Sequence, residues 1–211
     1  MFRAVRWSIF LFIGFLLVTE QVLNQSYLYR FDHWIKALKH HTFKGMSSHI
    51  LLAMDDLGLR SLTATILLIT AAFFGWKFKS WRPIYLSVSA VLLLNGVVGL
   101  SKVIFGRSKP RLSLDLLHAG GLSYPSGHSA NALLTWGMTA YILYRYAFHS
   151  RSHLIFLQVV VGVLTTTVYA ASLIRNTHWF SDLLGGVLIG GSLLVFLIAI
   201  DRAWPSERQP T

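Results

Sequence analysis

Six apolar blocks, at about 7–24, 57–76, 83–105, 127–148, 154–174 and 179–200, leave this chain few ways to fold. Each is close to the ~20 residues that an α-helix needs to cross the hydrocarbon of a bilayer. Within a block the apolar residues follow one another without forming an amphipathic stripe, which suits a helix surrounded by lipid and by other helices. Lys and Arg bracket the blocks, and Trp34, Trp76, Trp81, Trp179 and Trp204 fall near block ends, where aromatic belts lie. Composition agrees: 54% of residues are hydrophobic and 13% charged, against about a quarter charged in a soluble domain. The expected fold is all-α, a polytopic membrane protein with a bundle of six transmembrane helices.

No repeat and no Pro/Ser-rich linker divides the chain, so residues 1–204 read as one domain and 205–211 as a short disordered tail. The segment after Met1-Phe-Arg-Ala-Val-Arg6 resembles a signal peptide in length. Glu20 and Gln21 stand where a small-residue cleavage site would be, so it reads as an uncleaved first span. Between the first two spans, Leu28, Phe31, Ile35 and Leu38 recur at helical spacing over 27–43. Arg30, His33, Lys36 and Lys39 lie mostly opposite, which predicts an amphipathic helix in the membrane interface.

Formal net charge is +11, yet no basic run is long enough for a nucleic-acid arm, so membrane lipids and an anionic substrate are the expected partners. The chain has no cysteine, which removes disulfides, thiolate metal sites and Cys nucleophiles. Arg3, Arg6, Lys77, Lys79, Arg82, Arg145, Arg151 and Arg202 share one side of the predicted bundle. The positive-inside rule makes that side cytoplasmic, with both termini, in a multi-pass protein of the cell membrane. In the last span Gly186 and Gly190 form a small-residue face, suited to a neighbouring span or to a homodimer.

Three polar motifs then fall at the opposite, extracytoplasmic ends of the spans. The first is a cluster of cations, Lys102, Arg107, Lys109 and Arg111, directly after the third span. Several cations converging on one point suit the charge of a transferring phosphoryl group; a snorkelling basic flank is the plainer explanation. Lys102 lies inside an apolar stretch, where an idle charge is costly. The second is Pro125-Ser126-Gly127-His128, opening the fourth span. Ser126 is a good N-cap, and the free N–H groups of a first helical turn bind anions. His128 stands where it could protonate a leaving oxygen, or is simply an interfacial histidine. The third is His178 and Asp182, four residues apart and so on one helix face. A carboxylate on one imidazole nitrogen leaves the other as a nucleophile; an ordinary surface pair fits the same spacing.

Together the three motifs resemble the signatures of the PAP2 superfamily, membrane lipid phosphatases of the phosphatidic-acid-phosphatase type 2 class. Those signatures are Lys-x6-Arg-Pro, Pro-Ser-Gly-His and Ser-Arg-x5-His-x3-Asp. The first appears as Lys102-x6-Lys109-Pro110, the second is intact at 125–128, and the third ends intact at His178-x3-Asp182. The resemblance covers about 95–190 and implies a six-helix bundle of the PAP2 type. It implies His178 as the nucleophile forming a phosphohistidine, Asp182 orienting it and His128 as general acid. It also implies that Lys102, Lys109, Ser126 and Gly127 hold the phosphate, with no metal and no other cofactor. Two positions depart from the pattern. Lys109 replaces an arginine, and the Ser-Arg opening the third signature reads Ala171-Ser172. Arg175, one helical turn on, is the expected substitute for that arginine, with Arg107 and Arg111 in reserve. The implied activity is hydrolysis of a lipid phosphomonoester or diphosphate, such as a polyprenyl diphosphate, phosphatidylglycerophosphate or phosphatidate. Transfer of the phosphoryl group to a lipid or sugar hydroxyl is the alternative, and a non-catalytic scaffold with a degraded site is a third.

Overall fold

The computed structural model describes residues 2–38, 45–110 and 122–203. Over these residues the chain forms eight helices and no strand: α1 (Phe2–Leu23), α2 (Tyr27–Leu38), α3 (Met46–Asp56), α4 (Arg60–Lys77), α5 (Arg82–Phe105), α6 (Gly127–Tyr146), α7 (Arg151–Ile174) and α8 (Phe180–Ala203). Each expected span has become one long helix, α1, α4, α5, α6, α7 or α8. By length and composition four of them, α1, α5, α7 and α8, can cross a membrane alone, and α3 with α4, bent by 45°, counts as a fifth. Helix α6 has a span's length but not its hydropathy. Gly127, Ser129, Asn131, Thr135, Gly137 and Thr139 lie on it, and most of its surface is buried among α4, α5, α7 and α8. A helix enclosed by other helices does not need an oily exterior.

Local sequence explains the helix ends that matter. Helix α5 opens with Pro83 in its first turn and closes on Gly106, whose φ of 59° lies in the left-handed region that a Cβ disfavours. That cap releases the chain straight into the basic segment 107–110. Helix α6 starts at Ser126, whose hydroxyl accepts the Ser129 N–H at 3.4 Å. Its partner α8 approaches closely because of two glycines. A Cβ at Gly186 would lie 2.5 Å from the Ser126 carbonyl oxygen, and one at Gly190 2.7 Å from that of Ala130. The Gly186/Gly190 face is therefore filled by α6 of the same chain, which corrects the expectation of a homodimer through it.

Lipid tails are as apolar as leucine, so close packing and interhelical hydrogen bonds hold such a bundle together. Helix α1 lies along α8: the Ser8 hydroxyl donates to the Ser192 carbonyl at 2.9 Å, and Ser192 returns the bond to Ser8 at 2.9 Å. Leu67, Ala71, Ala90, Leu134, Met138, Ile142 and Ile189 form the centre of the core.

The expected helix between the first two spans is present as α2, with Tyr27, Phe31, Trp34 and Leu38 exposed; residues 39–43 of the predicted stretch lie outside the described residues, as does 205–211. Its inward residue is unexpected. Asp32, a carboxylate in a basic helix, is 1% exposed and points at α8.

Candidate active site

At the end of the bundle where α5 finishes and α6 and α8 begin, a cavity of about 660 Å³ opens between the helices. Gly127 and His128 line it from α6, Lys102 from α5, Lys109 from the segment after it, and His178 from the turn before α8. Arg175, at the end of α7, lines it too. The three motifs, separated by up to 80 residues in sequence, thus meet in one space. Arg111 lies outside the described residues.

Hydrogen bonds to backbone carbonyls fix this meeting. The Ser126 N–H donates to the Asp182 carbonyl at 2.9 Å, tying the start of α6 to the start of α8. The Trp179 indole N–H donates to the Ser108 carbonyl at 2.9 Å, and the Ser123 N–H to the Arg107 carbonyl at 2.7 Å. Lys102 Nζ donates to the Leu122 carbonyl at 3.1 Å. Ser126 itself is buried as the N-cap, so its contribution to the cavity is the helix start it creates.

Behind His178 sits Asp182, fully buried. Its Oδ2 is 3.4 Å from His178 Nδ1 and accepts the Trp179 N–H at 3.0 Å. Its Oδ1 accepts from Arg107 Nη1 at 2.8 Å. This places a carboxylate on one side of the imidazole and leaves the other nitrogen for the cavity.

Arg107 does not line that cavity. Its guanidinium is buried, donating to Asp182, to the Ser181 hydroxyl at 2.6 Å and to Asp32 Oδ2 at 2.7 Å. Ser181 in turn donates its N–H to Asp32 Oδ1 at 2.9 Å and its hydroxyl to Oδ2 at 2.5 Å. Burial pushes the Asp32 carboxyl up, with the Arg107 guanidinium opposing. Burial also works against the Arg107 cation, but Asp182 and Asp32 outweigh it and hold its pKa above the ordinary value. Arg107 is thus engaged with carboxylates, which corrects the expectation that it serves as a reserve phosphate ligand.

The position of the absent signature arginine is also explained. Ser172 donates its hydroxyl to Asp55 Oδ1, and Arg175 donates Nη1 to Asp55 Oδ2. Asp55, on α3, holds Arg175 at the cavity wall. Asp55, Asp56 and Arg60 line the cavity beside it, and none of these three stood out in the sequence, nor did Asp32. For Asp55 and Asp56 a signal existed: the chain has only eight acidic residues, and two of them are adjacent. Among the described residues, no three His, Cys, Asp or Glu side chains converge as a metal-ligand set.

A sequence model of the PAP2 superfamily matches residues 83–205, more than half of the chain and all of the cavity's motifs. The chain belongs to the PAP2 superfamily. Among curated relatives, phosphatidylglycerophosphatase B of Bacillus subtilis (strain 168) is 27% identical over 153 residues, 72% of this chain and 73% of that one. The lipid A 1-phosphatase of Porphyromonas gingivalis is 30% identical over 120 residues, 56% of this chain and 24% of the relative. The fold matches a crystal structure of the first transmembrane PAP2-type phosphatidylglycerolphosphate phosphatase from Bacillus subtilis. The TM-score is 0.84 at 21% identity, covering 95% of this chain and 98% of that one. With PAP2 membership and its membrane-spanning helices, the protein is a membrane phosphatase of the PAP2 type.

Proposed function

We propose that this PAP2 protein hydrolyses a lipid phosphate through a phosphohistidine on His178. One observation carries the reading: His128 and His178 line the same cavity with Lys102, Lys109 and Arg175, and Asp182 lies behind His178. His178 Nε2 attacks phosphorus while Asp182 keeps the proton on Nδ1. His128 protonates the departing lipid oxygen, then takes a proton from the water that releases phosphate. Lys102, Lys109 and Arg175, with the N–H groups of the α6 start at Ser126–Gly127, neutralise the phosphoryl oxygens as charge develops on them. Ser172 cannot supply the family's arginine, and Arg175 is offered in its place through Asp55.

The cavity opens at the end of membrane helices, which suits a substrate whose tails stay in the bilayer. The names of the relatives point to phosphatidylglycerophosphate as the first candidate, with phosphatidate and polyprenyl diphosphate in the same chemical class. The basic loops at the other end favour cytoplasmic termini and an extracytoplasmic cavity.

Purified protein in detergent should release inorganic phosphate from at least one of these three lipids, with or without a chelator. With a ³²P-labelled donor, label should be trapped on the protein and lost in His178→Ala. Label on a lipid acceptor instead of inorganic phosphate would make the enzyme a phosphotransferase; no turnover of any member of the panel would sink the reading. Single cysteines at Ser47 and His149 test orientation in this Cys-free chain. An impermeant thiol reagent on intact cells should label the first and spare the second, and the reverse would invert the topology.

A further inference from the structure

Asp182 could be oriented by one cation alone, yet the chain closes a larger ring behind it. Two carboxylates, Asp182 and Asp32, flank the single guanidinium of Arg107, at 2.8 and 2.7 Å. Both side chains are essentially buried, and Arg107 is 7% exposed. Asp32 accepts three donors, from Arg107, the Ser181 N–H and the Ser181 hydroxyl, a set that suits an ionised carboxylate beside a guanidinium. Charges of −1, +1 and −1 leave the ring one net negative charge, and His178 lies against it.

We infer that Asp32, on the interfacial helix, is a positioning residue that acts on the nucleophile through Arg107 and Asp182. The inference rests on His178 being that nucleophile. With Asp182 and Arg107 alone, the pair would be neutral and its attraction for a proton on His178 largely cancelled. Asp32 takes up half of the Arg107 fork, so Asp182 keeps its negative field on the imidazole. The same ring fixes geometry: Trp179 follows His178 in its turn, Ser181 lies in the first turn of α8 just after it, and Arg107 stacks 5.0 Å from the Trp179 ring centroid. Lys36 and His33, also on α2, cover the same indole, at 5.2 and 4.9 Å. Helix α2 therefore holds the nucleophile's turn through both charge and stacking.

Other charged groups face His178 from the surrounding elements. They are His128 on α6, Lys102 on α5, Lys109 after it, Arg175 after α7, Asp55 and Asp56 on α3, and Arg60 on α4. All of these stay constant when the ring alone is altered. Asp32 is faced by Arg107 and, across α7 and α8, by Tyr169 and Asp182.

The test is the pH profile of kcat/KM for phosphatidylglycerophosphate in detergent. Asp32→Asn makes the ring neutral, so the acid limb should move to lower pH by about half a unit or more. The plateau should fall about two- to threefold, as a less basic imidazole attacks more slowly. Asp32→Glu keeps the charge and should stay close to the parent. Asp32→Asn with Arg107→Gln restores the net charge of −1, and its acid limb should return toward the parent position. A merely structural role predicts an unmoved limb in Asp32→Asn and additive losses in the double variant; either result overturns the inference. If Asp32→Asn cannot be purified, Arg107→Lys decides: the charge is kept, so turnover should drop with the limb unmoved, and a moved limb would overturn the electrostatic account. Failure to trap phosphate on the parent's His178 would instead remove the reading beneath it, whatever the ring variants do.

Discussion

Helix α8 carries two buried aspartates, and they show how differently the same ingredients can be used. Asp182 and Asp201 are 19 residues apart, about 28 Å of helix, close to the ~30 Å thickness of a bilayer's hydrocarbon. At the far end Asp201 binds Arg82 of α5 at 2.5 Å, Arg145 of α6, and the Tyr141 hydroxyl at 2.5 Å. Two guanidiniums around one carboxylate leave that cluster with a surplus positive charge. The Asp182 cluster has the reverse count, and its surplus negative charge abuts a histidine that faces a cavity. Buried ion pairs at both ends staple helices together; only the Asp182 cluster lies against an imidazole that lines a cavity. Burial and salt bridges alone would not have told the two apart.

The largest effect expected from breaking this contrast is at Asp182. Asp182→Asn keeps shape but loses the negative charge and favours the wrong imidazole tautomer, so phosphate release should fall by at least ~10³-fold while the protein still extracts as a folded monodisperse species. Activity near the parent level would show that His178 does not depend on this carboxylate. Next is Arg175, which borrows its position from Asp55. Arg175→Ala should cost about 2–4 kcal/mol of transition-state binding, roughly 100-fold in turnover, and Arg175→Lys should recover only part of it. Nearly silent substitutions would reduce Arg175 to an anchor for α7. Smaller again is Gly186→Ala, which would drive a methyl group against the Ser126 carbonyl and part α6 from α8. Turnover should fall about tenfold as His128 moves relative to His178, together with a lower melting temperature. The smallest effect on chemistry belongs to Asp201→Asn. Leaving two guanidiniums short of their partner should cost about 3 kcal/mol of stability, while kcat per folded molecule stays within about twofold. A large loss of kcat there would mean that the two ends of α8 are coupled.

Much of the fold was legible because the physics of the bilayer acts on whole segments: each apolar block became a helix near the expected boundaries. The span count was less legible, since α6 turned its Ser, Asn and Thr inward and lost the hydropathy that marks a membrane helix. His128, His178, Lys102 and Lys109 were gathered into one site by the resemblance of their motifs to the PAP2 signatures, since each motif taken singly had an ordinary explanation. Arg107 was misassigned because a cation's sequence position does not reveal which way its fork turns. Asp32 and Asp55 went unseen because their partners lie 75 and 120 residues away, Arg107 for the one and Arg175 for the other. A lone acid in a basic helix was the available clue for Asp32.

The seam between α1 and α8 bears on how the enzyme is made. Helix α1 enters the membrane first and α8 last of the eight, yet Ser8 and Ser192, 184 residues apart, satisfy each other's hydroxyls. Until α8 arrives, α1 lacks its partner along that side, while its Thr19 hydroxyl is held by the Phe15 carbonyl at 2.8 Å and the Tyr124 hydroxyl at 2.7 Å. Asp182 arrives on the same late helix, just after His178. The seam along α1 and the carboxylate of the candidate site are therefore both completed by the last helix to be made.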